Sequence, residues 1–234
     1  MGKDSSKAHL EVCRREVLDS YGIFKKLYDF FGPQKWWPGD SKLEIVLGAI
    51  LTQRTSWKNV EKAINRLKER GLIDLKKLHA IDLEELSHLI KPSGFYREKA
   101  KRIKSLVSYI VRKYGKLEDF LGKDLEELRN ELISIKGIGE ETADSIILYA
   151  AEKPTIVVDE YCLRFYERFY GKRQNRKSLR ERLKMELPED TDVYKEFHAL
   201  IVKLCKEFCK KNPVCEGCPL MRYCSYQNSL KRRF

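Results

Sequence analysis

Glycine and proline are scarce in this chain, 13 and 7 among 234 residues. An all-β protein needs a turn every roughly 8–12 residues, so this supply of turn formers argues against a sandwich or barrel. No uninterrupted apolar run approaches the ~18 residues that cross a bilayer. The stretch from Met1 to Leu10 lacks the apolar core of a secretory signal. The expectation is therefore a cytoplasmic protein with no membrane partner. Met1-Gly2-Lys3-Asp4-Ser5-Ser6 formally fits an acylation pattern, a short match that chance explains better. Repeats of fixed period and low-complexity linkers are missing too. His9, His79, His88 and His198 stand apart without ligand spacing and read as structural or exposed.

Positive charge, in contrast, is in excess. Lys and Arg number 47 against 35 Asp and Glu, a net charge of +12. Each cation set against a phosphate releases condensed counterions, so the excess points to a polyanionic partner, nucleic acid first. The plainer alternative is a merely basic protein, because net charge bears on association and not on fold. Helical periodicity is also plentiful. Leu43, Val46, Leu47, Ile50 and Leu51 fall at i, i+3, i+4, i+7 and i+8, and Val60, Ala63, Ile64 and Leu67 repeat the pattern. Ile103, Leu106, Val107 and Ile110, then Ala143, Ile146, Ile147 and Ala150, do the same. Asp40 or Ser41 is placed to cap the first of these helices, and Asp82 the helix carrying Leu86. The one strand-like run, Thr155-Ile156-Val157-Val158, is too short and isolated to make a sheet. The fold class is all-α.

Two segments carry chemistry on their face. Ile135-Lys136-Gly137-Ile138-Gly139-Glu140-Glu141-Thr142 places two glycines between apolar helices. Without Cβ atoms, such a turn lets an anion approach the backbone amides that open the second helix. An ordinary helix C-cap reads the same way. The second segment is the tail, where Cys215 and Cys218 form a CxxC flanked by Cys209 and Cys224, each across five intervening residues. In a reducing compartment such spacing favours a thiolate-held metal centre over disulfides. Cys13 and Cys162 read as buried small hydrophobes. From Lys206 to Phe234 seven Lys or Arg face two Glu, a balance suited to a phosphate backbone. Lys172, Arg173, Arg176, Lys177, Arg180 and Arg182 read as a solvated helix face, with DNA contact the second reading, and Lys231-Arg232-Arg233 as a frayed end.

The run 135–165, from the glycine turn through Pro154 to Asp159, resembles the helix-hairpin-helix plus Gly/Pro-Asp signature of the endonuclease III superfamily of DNA glycosylases. Gly94-Phe95-Tyr96-Arg97-Glu98-Lys99-Ala100 and Ala49-Ile50-Leu51-Thr52-Gln53 are similar to two further blocks of that family. The resemblance implies a hairpin, Lys136, Gly137, Ile138, Gly139 and Thr142, that grips DNA phosphates. It also implies Gln53 at the duplex gap and Asp159 in a pocket for an extruded nucleotide. Chemistry supports the last role, since glycosidic hydrolysis passes through an oxocarbenium-like sugar that a carboxylate stabilises. Asp159 also reads as a helix N-cap, and the two roles are compatible. Glu160 cannot share the pocket, because neighbouring side chains diverge.

Glu141 stands where strand-nicking members of the superfamily carry a lysine, the amine that forms a Schiff base. A carboxylate cannot do this, so a monofunctional, water-using enzyme is expected. Gln34-Lys35-Trp36-Trp37-Pro38 and Gln53-Arg54-Thr55-Ser56-Trp57 are similar to the type III 3-methyladenine glycosylase branch. By that resemblance Trp37 and Trp57 sandwich the base, with Trp36 alongside; the alternative is that the tryptophans plug the core. An N-alkylated purine is cationic, which draws it to indole faces and makes it a good leaving group. The family's iron-sulfur loop implies a [4Fe-4S] cluster on Cys209, Cys215, Cys218 and Cys224, with zinc the lesser alternative. The family's first interval is one residue longer, which leaves Cys205 as a rival to Cys209.

The implied architecture is two interlocked helical lobes. A six-helix lobe spans 40–152, and residues 1–39 and 153–234 form the other, with the cluster loop at 205–224. The implied function is excision of alkylated purines from duplex DNA by a monomer, 3-methyladenine first and 7-methylguanine next. The alternatives are an endonuclease III-like glycosylase for oxidised pyrimidines or for thymine or uracil mispaired with guanine, and a noncatalytic DNA-binding scaffold.

Overall fold

The computed structural model describes residues 17–227. Cys13, His9, the segment 1–10 and Lys231-Arg232-Arg233 lie outside the described residues. Among the described residues, the bounded α-helices are, in order, α1 (Ser20–Phe31), α2 (Lys42–Leu51), α3 (Trp57–Glu69), α4 (Leu75–Ala80), α5 (Leu83–Leu89), α6 (Tyr96–Lys113), α7 (Leu117–Leu121), α8 (Leu125–Ser134), α9 (Glu140–Tyr149), α10 (Glu160–Tyr170), α11 (Arg176–Glu186) and α12 (Thr191–Glu207), with a 3-10 turn at Lys91–Ser93. No strand occurs among the described residues. The fold is all-α, and no described helix is long and apolar enough to cross a membrane.

The helices start where local chemistry dictates. Ser41 caps α2 by accepting the Glu44 amide at 3.2 Å, while Glu44 reaches back to the Asp40 amide at 3.1 Å. The first bond satisfies an orphan donor of the helix start, and the second ties the residue before the cap to the first turn. Asp82 caps α5, accepting from the amides of Glu84 and Glu85. Thr155-Ile156-Val157-Val158 is buried but forms no strand; the run feeds α10.

Two hydrophobic cores result. One joins α2 to α9 and is built almost wholly of aliphatic side chains, with Phe120 its buried aromatic. The other joins α1 to α10, α11 and α12 and is rich in rings, among them Phe165, Tyr166, Phe169, Tyr194 and Phe197. Helix α9 belongs to both: Ala143, Ile146 and Ile147 face the aliphatic core, Leu148 and Tyr149 the aromatic one. Trp37 and Ile45 also pack against both. The seam between the cores therefore runs beside α9.

A buried ion cluster holds that seam. Asp144 of α9 is fully buried, takes the Arg129 side chain of α8 at 2.8 Å and bonds Arg180 of α11. Burial pushes the Asp144 carboxyl up against the opposing pull of Arg129 and Arg180. The basic group 172–182 is thus only partly a solvated face. Arg176 pairs with Glu141 and Glu160, and Arg182 lies 3.7 Å over the Tyr170 ring while pairing with Glu186. A flat charge pattern reveals the Arg182–Glu186 pair at i,i+4 within α11, but not the contacts to Glu141, Glu160 and Tyr170, which sit on other helices.

Candidate active site

At the seam lies a recess of about 200 Å³, lined by Trp36, Trp37, Gln53, Trp57, Glu141, Thr142, Asp159, Tyr161, His198 and Lys206, among others. It is smaller than the roughly 300–1,000 Å³ of sites for drug-sized ligands, which suits one planar base. Asp159 is the N-cap of α10: its Oδ1 accepts the Cys162 amide at 2.8 Å. Its Oδ2 lies 3.5 Å from His198 Nε2. Capping and lining the recess are performed by the two oxygens of one carboxylate. Glu160 turns outward, 77% exposed, to Arg176.

The tryptophans form an angled wall. Trp36 stacks on Trp37 with centroids 5.4 Å apart and on the His198 ring at the same distance. Trp37 meets Trp57 edge to face, centroids 5.5 Å apart at 80°. The two rings do not form the parallel walls of a sandwich. Gly48 of α2 permits their approach, since a Cβ there would stand 3.1 Å from Trp37 Nε1 and 3.4 Å from the Trp57 ring. Nothing in the sequence marks Gly48, which sits inside an apolar helix pattern.

Gln53 lies on the turn that ends α2, with its amide held at both ends. Its Nε2 donates to Thr142 Oγ1 at 2.8 Å, and Arg102 donates to its Oε1. The stem of Arg102 crosses Gly137, whose φ is +93°; a Cβ there would collide with Arg102 Cγ. Gly137 is thus required twice, by its backbone angle and by this approach. In the turn itself Lys136, Gly137 and Gly139 are exposed, whereas the Ile138 side chain is buried in the aliphatic core. Gly139 opens α9 without a side-chain cap, leaving the first amides free to meet an acceptor. Beside Gln53, exposed Phe95 holds a left-handed conformation, φ +46°, with Arg54 at 6.0 Å from its ring.

Electrostatically the recess mixes signs. Burial, then the charge of Asp159, pushes the Glu141 carboxyl up, while Arg176 at 3.3 Å opposes. Lys206 brings an amine that the sequence reading did not place there, its Nζ 5.8 Å from the Trp36 ring. His198, read as structural or exposed, is 6% exposed and faces Asp159.

Cys209, Cys215, Cys218 and Cys224 line a second, apolar cavity with Phe165, Phe169 and Leu204. No three His, Cys, Asp or Glu side chains among the described residues converge as ligands of a single metal ion. Burial pushes the Cys218 thiol up to about 11 and raises Cys215. The neighbouring Cys205 thiol and the Arg168 guanidinium pull Cys209 down. Arg168 donates to Cys209 Sγ at 3.4 Å and to the carbonyls of Cys209, Lys210 and Lys211. Four soft donors around one apolar cavity, with a guanidinium on one sulfur, fit a thiolate-bound iron-sulfur group. Cys205, by contrast, is buried under the Tyr161 carbonyl and does not line the cavity.

Known proteins resemble this chain in sequence and fold. The sequence profile of the HhH-GPD superfamily of base excision DNA repair proteins matches residues 47–189. A protein of Methanocaldococcus jannaschii assigned as a DNA repair glycosylase is 46% identical over 87% of this chain and 94% of its own. The endonuclease III of Thermotoga maritima is 33% identical over 78% of this chain and 82% of its own. Among solved structures, the Helicobacter pylori 3-methyladenine DNA glycosylase bound to 1,N6-ethenoadenine superposes with a TM-score of 0.75 at 31% identity, covering 81% of this chain and 98% of that one.

Proposed function

The chain belongs to the HhH-GPD superfamily of base excision DNA repair proteins, and from that premise we propose that it is a monofunctional glycosylase that removes alkylated purines, 3-methyladenine first, from duplex DNA. The observation that carries the reading is Asp159, held at a helix start and facing an indole-lined recess. Likeness to the 3-methyladenine glycosylase of H. pylori supports the substrate class.

The proposed mechanism follows from the geometry. The exposed glycine turn before α9 offers backbone amides to a phosphate while Lys136 adds charge. A nucleotide swung out of the stack enters the recess, where the Trp36, Trp37 and Trp57 rings attract a cationic purine. Gln53, preset by Arg102 and Thr142, enters the vacated stack, and exposed Phe95 supports the opened duplex beside it. As the base departs with the glycosidic electrons, positive charge grows on the sugar and Asp159 stabilises it until water adds to C1′. A cationic base needs no protonation to leave. Cys209, Cys215, Cys218 and Cys224 would hold a [4Fe-4S] cluster that supplies a structural pin at the end of α12.

A second reading rests on two observations, the 33% identity to the Thermotoga endonuclease III and the Lys206 amine in the recess. In it the chain acts on oxidised or mispaired pyrimidines, with strand nicking through an amine. Duplexes bearing 3-methyladenine, 7-methylguanine, an oxidised pyrimidine, or thymine or uracil opposite guanine separate the two, assayed with and without alkali. We expect release of alkylated purine, strand breaks only after alkali, and no borohydride-trapped protein–DNA adduct. An adduct lost in Lys206→Met would establish the second reading.

A further inference from the structure

His198 is the buried titratable group to which hydrolysis by Asp159 assigns no task. It projects from α12 with one ring face on Trp36. Nδ1 lies 2.7 Å from the Tyr149 hydroxyl of α9. Nε2 is buried, has no hydrogen-bond partner, and stands 3.5 Å from Asp159 Oδ2. The imidazole therefore bridges two groups from two other elements.

Tyr149 decides where the imidazole proton sits. Burial, with lesser help from the charges of Asp159 and Glu196, pushes its hydroxyl well above the ordinary range, so it stays a phenol with one proton to give. It has two acceptors, Nδ1 at 2.7 Å and the Lys195 carbonyl at 3.4 Å. The shorter contact is an ordinary hydrogen bond and the longer is at the limit of one. With Nδ1 accepting, a neutral ring must carry its own proton on Nε2, the nitrogen that faces Asp159.

We infer that Tyr149 and His198 form a positioning chain: the phenol sets the imidazole tautomer, and Nε2–H fixes the second oxygen of Asp159 as the Cys162 amide fixes the first. The inference rests on the hydrolytic reading of Asp159. The 3.5 Å separation shortens to a hydrogen bond when a nucleotide fills the recess, as such contacts tighten from free to bound enzyme. The other charged groups nearby are Glu141 of α9, its partner Arg176 of α11, and Lys206 and Glu196 of α12. None of them is hydrogen-bonded to the ring among the described residues.

Two measurements test the chain, one independent of substrate. Long-range proton–nitrogen correlations on ¹⁵N-labelled protein at neutral pH report the tautomer, with His198 identified by loss of its signals in His198→Gln. We expect a protonated Nε2 and a bare Nδ1, and in Tyr149→Phe a mixture or the reverse. A protonated Nδ1 in the unmodified protein, or an unchanged ring in Tyr149→Phe, overturns the inference whichever lesion the enzyme takes. The second measurement is single-turnover base release, between about pH 5 and 9, from whichever lesion duplex the unmodified enzyme processes fastest. We expect Tyr149→Phe to slow release roughly tenfold and His198→Phe roughly a hundredfold. Affinity for a duplex carrying an abasic-site analogue should stay within about twofold, since neither group contacts phosphate. His198→Gln, whose amide can donate where Nε2–H stands, should recover most of the loss. Equal losses in the Gln and Phe variants, or a parallel fall in affinity, would reduce the ring to packing and overturn the chain. If only a pyrimidine lesion is processed, the proposed substrate fails, and the same comparison on that lesion still decides the inference.

Discussion

The recess and the cysteine loop both gather reactive side chains, and they are assembled in opposite ways. The loop draws its four thiols from one stretch, Cys209 to Cys224, so its chemistry is written in local spacing. The recess joins Trp36 and Lys206, which lie 206 − 36 = 170 positions apart, with residues from α3, α9, α10 and α12. Its side chains are held by mutual pairing: Gln53 between Arg102 and Thr142, Glu141 against Arg176, Asp159 between Cys162 and His198. Changes in the loop should therefore cost stability, and changes in the recess should cost chemistry.

The sharpest contrast is expected from Asp159→Asn. Asparagine caps a helix about as well as aspartate, so the thermal midpoint should hardly move, while base release falls by roughly a thousandfold and DNA binding persists. Full activity in this variant would remove the hydrolytic reading. Cys218→Ser should behave the other way round. Absorbance near ~400 nm should disappear and the melting temperature drop by about 5 °C or more. Activity per folded molecule should survive; its loss without a change in melting temperature would break the contrast.

Gly137→Ala joins the two kinds of effect. A left-handed φ of +93° and the contact with Arg102 make any side chain costly, by about 1–3 kcal/mol in urea unfolding. Because Arg102 holds Gln53, affinity for damaged duplex should also fall; unchanged affinity would uncouple the hairpin from Gln53. The last effect, confined to alkaline pH, concerns Lys99, 1% exposed, whose Nζ holds the Leu51 carbonyl at 2.8 Å and the Ser93 carbonyl at 2.6 Å at the end of α2. Burial, helped by Arg102, lowers its pKa from 10.5 to about 8. Between those values the unfolded chain keeps a proton that the folded chain has released, so this group's contribution to stability rises with pH. The rise amounts to about 1 kcal/mol per pH unit above pH 8. The difference between unmodified protein and Lys99→Met, followed by denaturant titration at several pH values, should show that slope, and a flat difference would refute it.

Much of the fold was legible because its determinants are local. The stripes of α2, α3, α6 and α9, and the caps at Ser41 and Asp82, depend on residues three or four apart. Asp159 was readable both as a cap and as a candidate for the pocket. His198, Lys206, Gly48 and the Arg176–Glu141 pair were not readable, because an amphipathic stripe says which face is buried and not which helix covers it. The perpendicular setting of Trp37 and Trp57 is of the same kind: composition marks the rings, and packing against Gly48 sets their angle.

By itself, then, the amino-acid order determined an all-helical chain, the glycine turn before α9, the thiol spacing of the tail and the cap at Asp159, all short-range consequences of backbone geometry. Only the tertiary structure decided that α9 would serve two cores at once and bring Tyr149, His198 and Asp159 into line. Long-range packing selects one arrangement among the many that the same helical stripes permit, and the reactive geometry exists only in that arrangement.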